Sequence, residues 1–266
     1  MKVISLGWGV QSWGLAAMVA KGVLPPVDAA IHSDTTHERH ETYAFAARWT
    51  PWLEEYGVRV VTVRAHDTRF YERPGMNGLG TPPVFTTHPN EPDGKLRRSC
   101  TQRWKIAPMR RWLREQGATT VEQWIGISLD EAQRRRFSDV QYITNTYPYL
   151  DFDIAIPATS RYGISRSDIV RWLQENDLEV PVKSSCVFCP FHDRATWREI
   201  QLSGNGNWEK AVQVDEAIRH KRPGYVCYLT DKRKPLVDCD FRSQEEHGQM
   251  AMSFGEEDEC TGNCFL

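Results

Sequence analysis

Val3-Ile4-Ser5-Leu6-Gly7-Trp8-Gly9-Val10-Gln11-Ser12-Trp13 is the stretch that decides the fold. Its first four residues read as a short buried strand, and a glycine turn follows at once. From Trp13 to Ala20 the chain reads as a helix that stops near Gly22, with Pro25-Pro26 beyond it. Val27 to Ser33 repeats the buried-strand pattern and closes on Asp34-Thr35-Thr36. Glu41 to Tyr56 is an amphipathic helix with a break expected at Pro51, and Val58 to Val63 is a third strand. Strand, helix, strand, helix, strand in that order implies parallel pairing with right-handed crossovers. The expected fold class is α/β: a doubly wound parallel sheet with a helical, cysteine-bearing C-terminal part.

Downstream, Tyr71 to Arg98 is rich in Gly, Pro and Asn and has no apolar period, so it reads as a long loop. Lys105 to Gln116 is a helix, and Gln123 to Ile127 a fourth strand that carries Gly126. Ser165-Arg166-Ser167-Asp168 has the spacing of a capping box ahead of a helix from Ile169 to Asn176. Trp197 to Leu202 and Trp208 to His220 continue as helices. The expected organisation is a nucleotide-binding domain over 1–150, a helical extension with a metal centre over 151–254, and an acidic, Cys-containing tail over 255–266.

With 266 residues, 40% hydrophobic and 26% charged, the composition is that of a globular protein. A net charge of −2 provides no global field for nucleic acid or an anionic membrane. No apolar run approaches the ~20 residues of a membrane span, so a cytoplasmic location without membrane contact is expected. Seven cysteines then read as metal or redox chemistry rather than a disulfide framework.

A glycine turn between a strand and its helix lets backbone amides and the helix N-terminus face a phosphate. Gly7, Gly9, Val10, Gln11 and Ser12 form that turn here, and Ser12 can add a hydroxyl donor. Asp34 and Thr35 end the second strand and Gly126 lies at the end of the fourth, all on the carboxyl edge where open parallel sheets bind ligands. Asp130 and Glu131 can hold Mg²⁺ or pair with nearby arginines. Arg134-Arg135-Arg136 can meet phosphates or form a solvated turn.

The cysteines form a split set: Cys100, then Cys186-Val187-Phe188-Cys189-Pro190-Phe191-His192. Two thiolates spaced C-x-x-C grip one metal or one edge of an iron–sulfur cluster, and a distant third closes the site. His192 can complete a Cys₃His zinc set instead, and spacing alone does not separate the two. Phe188, Pro190 and Phe191 would supply the apolar shell. Cys227 and Cys239 read as structural, and Cys260 and Cys264 sit in the acidic tail, either as a thiol shuttle or as two inconsequential exposed thiols.

At these residues the chain resembles the PP-loop ATP pyrophosphatases, and within them the phosphoadenosine phosphosulfate (PAPS) reductase-like family. Gly7-Trp8-Gly9-Val10-Gln11-Ser12 fills the slot of that family's Ser-Gly-Gly-x-x-Ser phosphate loop. Asp34-Thr35-Thr36 with Glu41-Thr42-Tyr43 matches its second-strand signature, Cys100 to Pro108 its cysteine–lysine–proline segment, and Gly126 to Arg134 its Gly-Ile-x-x-Asp-Glu-x-x-Arg segment. Trp8 stands where the family prefers glycine, and Gln11 replaces an acidic residue found in many ATP-cleaving members.

The resemblance implies an adenine nucleotide alpha-hydrolase-like fold and ATP or a related adenine nucleotide as ligand. It also implies a [4Fe–4S] cluster on Cys100, Cys186 and Cys189 (zinc with His192 as the alternative), and Mg²⁺ beside the nucleotide. The implied reaction is adenylation with pyrophosphate release followed by sulfur transfer, with Gly9 and Ser12 cradling phosphate. Asp34 would help hold the nucleotide or its metal, and Lys105 would neutralise developing charge. A sulfonucleotide reductase with Cys260 as nucleophile, and a zinc-stabilised binding module without turnover, are the alternatives. Expected partners are a sulfur donor or a thioredoxin-like reductant, a nucleic-acid acceptor presented by another protein, and a second copy of the chain.

Overall fold

A computed structural model of the chain describes residues 1–75, 80–154, 156, 160–243 and 246. The chain runs β1 (Lys2–Ser5), α1 (Val10–Ala20), β2 (Ala29–Asp34), α2 (His40–Glu55), β3 (Val60–Arg64), β4 (Phe85–His88) and β5 (Glu91–Lys95). A π-helical turn (Thr101–Ile106) leads into α3 (Ala107–Glu115), followed by β6 (Val121–Trp124), a 3₁₀ turn (Leu129–Arg134), β7 (Ile143–Thr146) and α4 (Pro148–Asp151). Then come α5 (Arg166–Glu175), α6 (Arg194–Leu202), α7 (Asn207–Ile218) and β8 (Val226–Tyr228). Among the described residues two compact units form, each discontinuous in sequence: one of residues 1–65 and 104–184, the other of 66–103 and 185–246.

In the first unit alternation along β1 and β2 sorts the side chains to two faces. Ile4 and Ala30 join Leu15, Met18, Phe45 and Ile169 in one core, under α1, α2 and α5. Val3, Ala29 and Ile31 join Met109 and Leu113 of α3 in the other. Buried on both sides, these strands pair in parallel in the order β3-β2-β1-β6-β7. The expected doubly wound α/β sheet is present. Its order reverses at β1, so the switch point lies between the carboxyl ends of β1 and β6.

Three local readings change. The fourth strand ends at Trp124, which leaves Gly126 in the loop after it. α2 continues through Pro51, held on either side by Trp49 and Trp52, both packed on Trp13 at ring-centroid distances of 5.1 and 5.8 Å. β7 had no clear apolar pattern to announce it, since only Ile143 among its four residues is fully buried.

In the second unit the expected loop from Tyr71 to Arg98 contains the hairpin β4–β5, which pairs with β8 in a three-stranded antiparallel sheet. β5 is the exposed edge sequence Glu-Pro-Asp-Gly-Lys, so it lacks the apolar alternation by which strands are read. Asp215 organises the far side: its carboxylate accepts from the Leu229 and Leu236 amides at 3.1 and 2.9 Å and from Arg219.

Candidate phosphate-binding loop

The loop after β1 is closed by Ser12. Its hydroxyl accepts the Gly7 N–H at 3.0 Å and donates to the Gly9 carbonyl at 3.3 Å. Gly9 is the N-cap of α1 in extended conformation, and no side chain caps the helix, whose first turn holds no acid. Val10 opens the helix as a buried anchor. The helix N-terminus therefore keeps its unpaired amides and positive dipole end.

Trp8 adopts a left-handed φ of 58°, the conformation that favours glycine. That costs about 1–2 kcal/mol for an L-residue. The indole recovers more, because it is 1% exposed and packs on Trp13, His32 and Phe45, and burying a Trp is worth about 4 kcal/mol or more. The glycine-like turn persists despite the substitution, with the side chain directed into the core. His32 braces the same corner: its Nδ1 pairs with the Leu6 carbonyl at 3.1 Å, and burial lowers its pKa so that the ring is neutral.

Gly126, after β6, is dictated by close approach. A Cβ there would lie 2.8 Å from the Gln11 carbonyl carbon and 2.9 Å from the Ser12 nitrogen. Tyr149 supports the same turn, donating its buried hydroxyl to the Gln11 carbonyl at 2.8 Å. The Gln11 side chain donates to Glu131 at 3.0 Å, and Glu131 pairs with Arg134. Arg134 is thus tied through Glu131 to the phosphate loop. The loops after β1 and β6 meet where the strand order reverses.

At the end of β2, Asp34 is fully engaged. Oδ1 accepts from the Thr36 amide at 2.7 Å and the Tyr43 hydroxyl at 2.8 Å, and Oδ2 from Arg64 Nε at 2.7 Å. Burial pushes its pKa up, but these donors outweigh it and hold the carboxyl below the usual range. Thr35 is buried and its hydroxyl donates to Glu38 at 3.2 Å. Glu38, also buried, faces Lys105 Nζ at 3.4 Å, and the Lys105 carbonyl accepts from Ser33 at 2.8 Å. The Lys105 ammonium therefore already faces a buried carboxylate. Little in the local pattern signals this Glu38 pair: Glu38 lies in a His-Glu-Arg-His run that reads as surface.

Asp130 accepts from the Arg166 amide at 2.5 Å and Ser128 at 3.2 Å. Glu131 pairs with the Arg134 guanidinium, whereas Asp130 meets a backbone amide and a hydroxyl.

In the second unit Cys100, Cys186 and Cys189 are half-buried. Cys189 N–H donates to the Cys186 carbonyl at 3.0 Å, making a tight C-x-x-C turn, and the His192 amide bonds the Cys189 carbonyl at 3.1 Å. His192 Nε2 is turned onto the Cys186 carbonyl at 2.9 Å, and its ring packs on Trp197. Phe188 is buried against Phe70 and Tyr71. Among the described residues no group of three or more His, Cys, Asp or Glu side chains is arranged to hold a metal ion. Cys227 and Cys239 are buried, and burial pushes both thiols up, so they are neutral. Cys260 and Cys264 lie outside the described residues.

The chain is similar to a PAPS reductase. That protein is the phosphoadenylyl-sulfate reductase of Candida auris, in a phosphate complex, with 13% identity and a TM-score of 0.44 over 68% of this chain and 74% of the other. No protein-family profile and no curated protein sequence matches the chain. Among the described residues no helix is long and apolar enough to cross a membrane.

Proposed function

We propose that the first unit binds an adenine nucleotide with its phosphates at the N-terminus of α1, and that the protein is a PP-loop enzyme of the PAPS reductase-like kind. The observation that carries this reading is the meeting of two glycine-dependent loops at the switch point of the sheet. The uncapped α1 amides lie there, and Gly126 admits the backbone of the loop. The motif series from Gly7 to Arg134 supports adenine as the base.

Within this reading the α1 amides and dipole hold phosphate oxygens, and Arg134, fixed by Glu131, is a cation tied to the loop. Lys105 keeps the buried Glu38 carboxylate paired. Asp34 acts by locking the turn after β2 rather than by touching metal. The reaction we assign is adenylation. An acceptor oxygen attacks the α-phosphorus of ATP, the bond to pyrophosphate breaks, and a sulfur nucleophile then displaces AMP from the activated acceptor.

A sulfonucleotide reductase would use the same loop for a different nucleotide. Glu259-Cys260 favours that second reading. The test is calorimetric titration with ATP together with a pyrophosphate-release assay, using Ser12→Ala as the loop variant. Stoichiometric ATP binding, weakened in Ser12→Ala, is expected. Binding that is indifferent to Ser12 would place the nucleotide elsewhere.

A further inference from the structure

Ser12 was the hydroxyl expected to meet the phosphate, yet its proton is directed to the Gly9 carbonyl and its lone pair to the Gly7 N–H. A second hydroxyl stands beside the same loop. Ser184 Oγ lies 3.1 Å from the point that a Gly9 Cβ would occupy, and the Ser184 amide nitrogen 4.0 Å from it. Ser184 is 8% exposed. It makes no hydrogen bond among the described residues, whereas Ser33, Ser128 and Ser165 do; the adjacent Ser185 is the serine whose hydroxyl is buried without a partner. A hydroxyl without a partner among the described residues, beside an uncapped helix N-terminus, has the character of a ligand group.

We infer that Ser184 supplies the hydroxyl donor of the phosphate subsite, bonding a phosphate oxygen held at the α1 amides. This rests on the nucleotide reading above and adds to it a residue far downstream of the phosphate loop. Glycine at position 9 serves the same arrangement. Any side chain there would press its Cβ on the Ser184 hydroxyl, which would have to give way. Gly9 makes room, Ser12 closes the loop, and Ser184 contacts the ligand.

The test compares the wild-type chain with Ser184→Ala and Ser184→Thr, titrated with ATP, adenosine and inorganic phosphate, with a thermal melt of each. One hydrogen bond to a charged oxygen predicts about tenfold weaker ATP and phosphate binding in Ser184→Ala. Adenosine affinity and melting temperature should stay at the wild-type values, and Ser184→Thr should recover ATP binding. Equal ATP affinity in Ser184→Ala overturns the assignment. So does an equal loss for ATP and adenosine, which marks a packing role. A wild-type chain that binds neither ATP nor phosphate overturns the nucleotide reading itself, and the role of Ser184 with it.

Discussion

The carboxyl edge of the parallel sheet and the C-x-x-C segment of the second unit both carry chemistry-bearing residues, but they are built differently. At the sheet edge each motif residue has a defined task. Gly126 admits backbone, Ser12 closes the loop, Tyr149 supports Gln11, and Asp34 locks the next turn. Around Cys186 and Cys189 the backbone turn is tight, yet His192 is directed at a carbonyl and Phe188 at the aromatic core. The difference teaches that a turn read from sequence keeps its geometry when the backbone alone makes it. That does not extend to side chains from distant segments that must converge.

The strongest way to break this comparison is steric. Gly126→Val places carbon atoms within 2.8 Å of the Gln11 backbone, which cannot retreat without unwinding α1. We expect a loss of about 3 kcal/mol in stability and of all ATP binding, read by chemical denaturation and calorimetry. Gly94→Ala in the second unit meets only the Thr86 hydroxyl at 3.1 Å, and should cost about 1 kcal/mol or less with ATP binding intact.

Ser12→Ala comes next. It strands the Gly7 N–H, so a stability loss of about 1–2 kcal/mol is expected together with weaker ATP binding. Cys189→Ala sharpens the contrast from the other side, because ATP affinity should stay within about twofold, below what ~0.5 kcal/mol would produce. Anaerobic metal analysis of the same pair of proteins would break the comparison if wild type carried one equivalent of iron or zinc and the variant none. The thiols would then converge on loading.

The smallest effect is a pH dependence. Because burial lowers the pKa of His32, the unfolded chain binds a proton below pH 6.5 that the folded chain refuses. Stability should therefore fall as pH drops from 6.5 toward the lowered folded value. His32→Asn, whose amide can still donate to Leu6, should remove that component from melting curves taken between pH 5 and pH 8.

Much of the first unit was legible because strands buried on both faces read as continuous apolar runs, and because turn chemistry is local. The Ser165–Asp168 capping box forms with both reciprocal bonds. β5 and β7 were not legible: one is an exposed edge without alternation, the other a four-residue strand with one fully buried side chain. Trp8 was readable as a departure from glycine, but not as a residue that keeps the left-handed turn by burying its indole. Ser184 gave no local signal at all, since its neighbour in space is the first glycine turn of the chain.

The central claim is that phosphate sits at the first turn of α1. Amide chemical-shift mapping of the full chain during titration with ATP, and separately with inorganic phosphate, tests it most directly. The account predicts that the amides of Gly9, Val10 and Gln11 move first and furthest with both ligands, while those from Cys186 to His192 stay in place. Shifts confined to the cysteine segment, or an α1 terminus unmoved at saturating ATP, would contradict it.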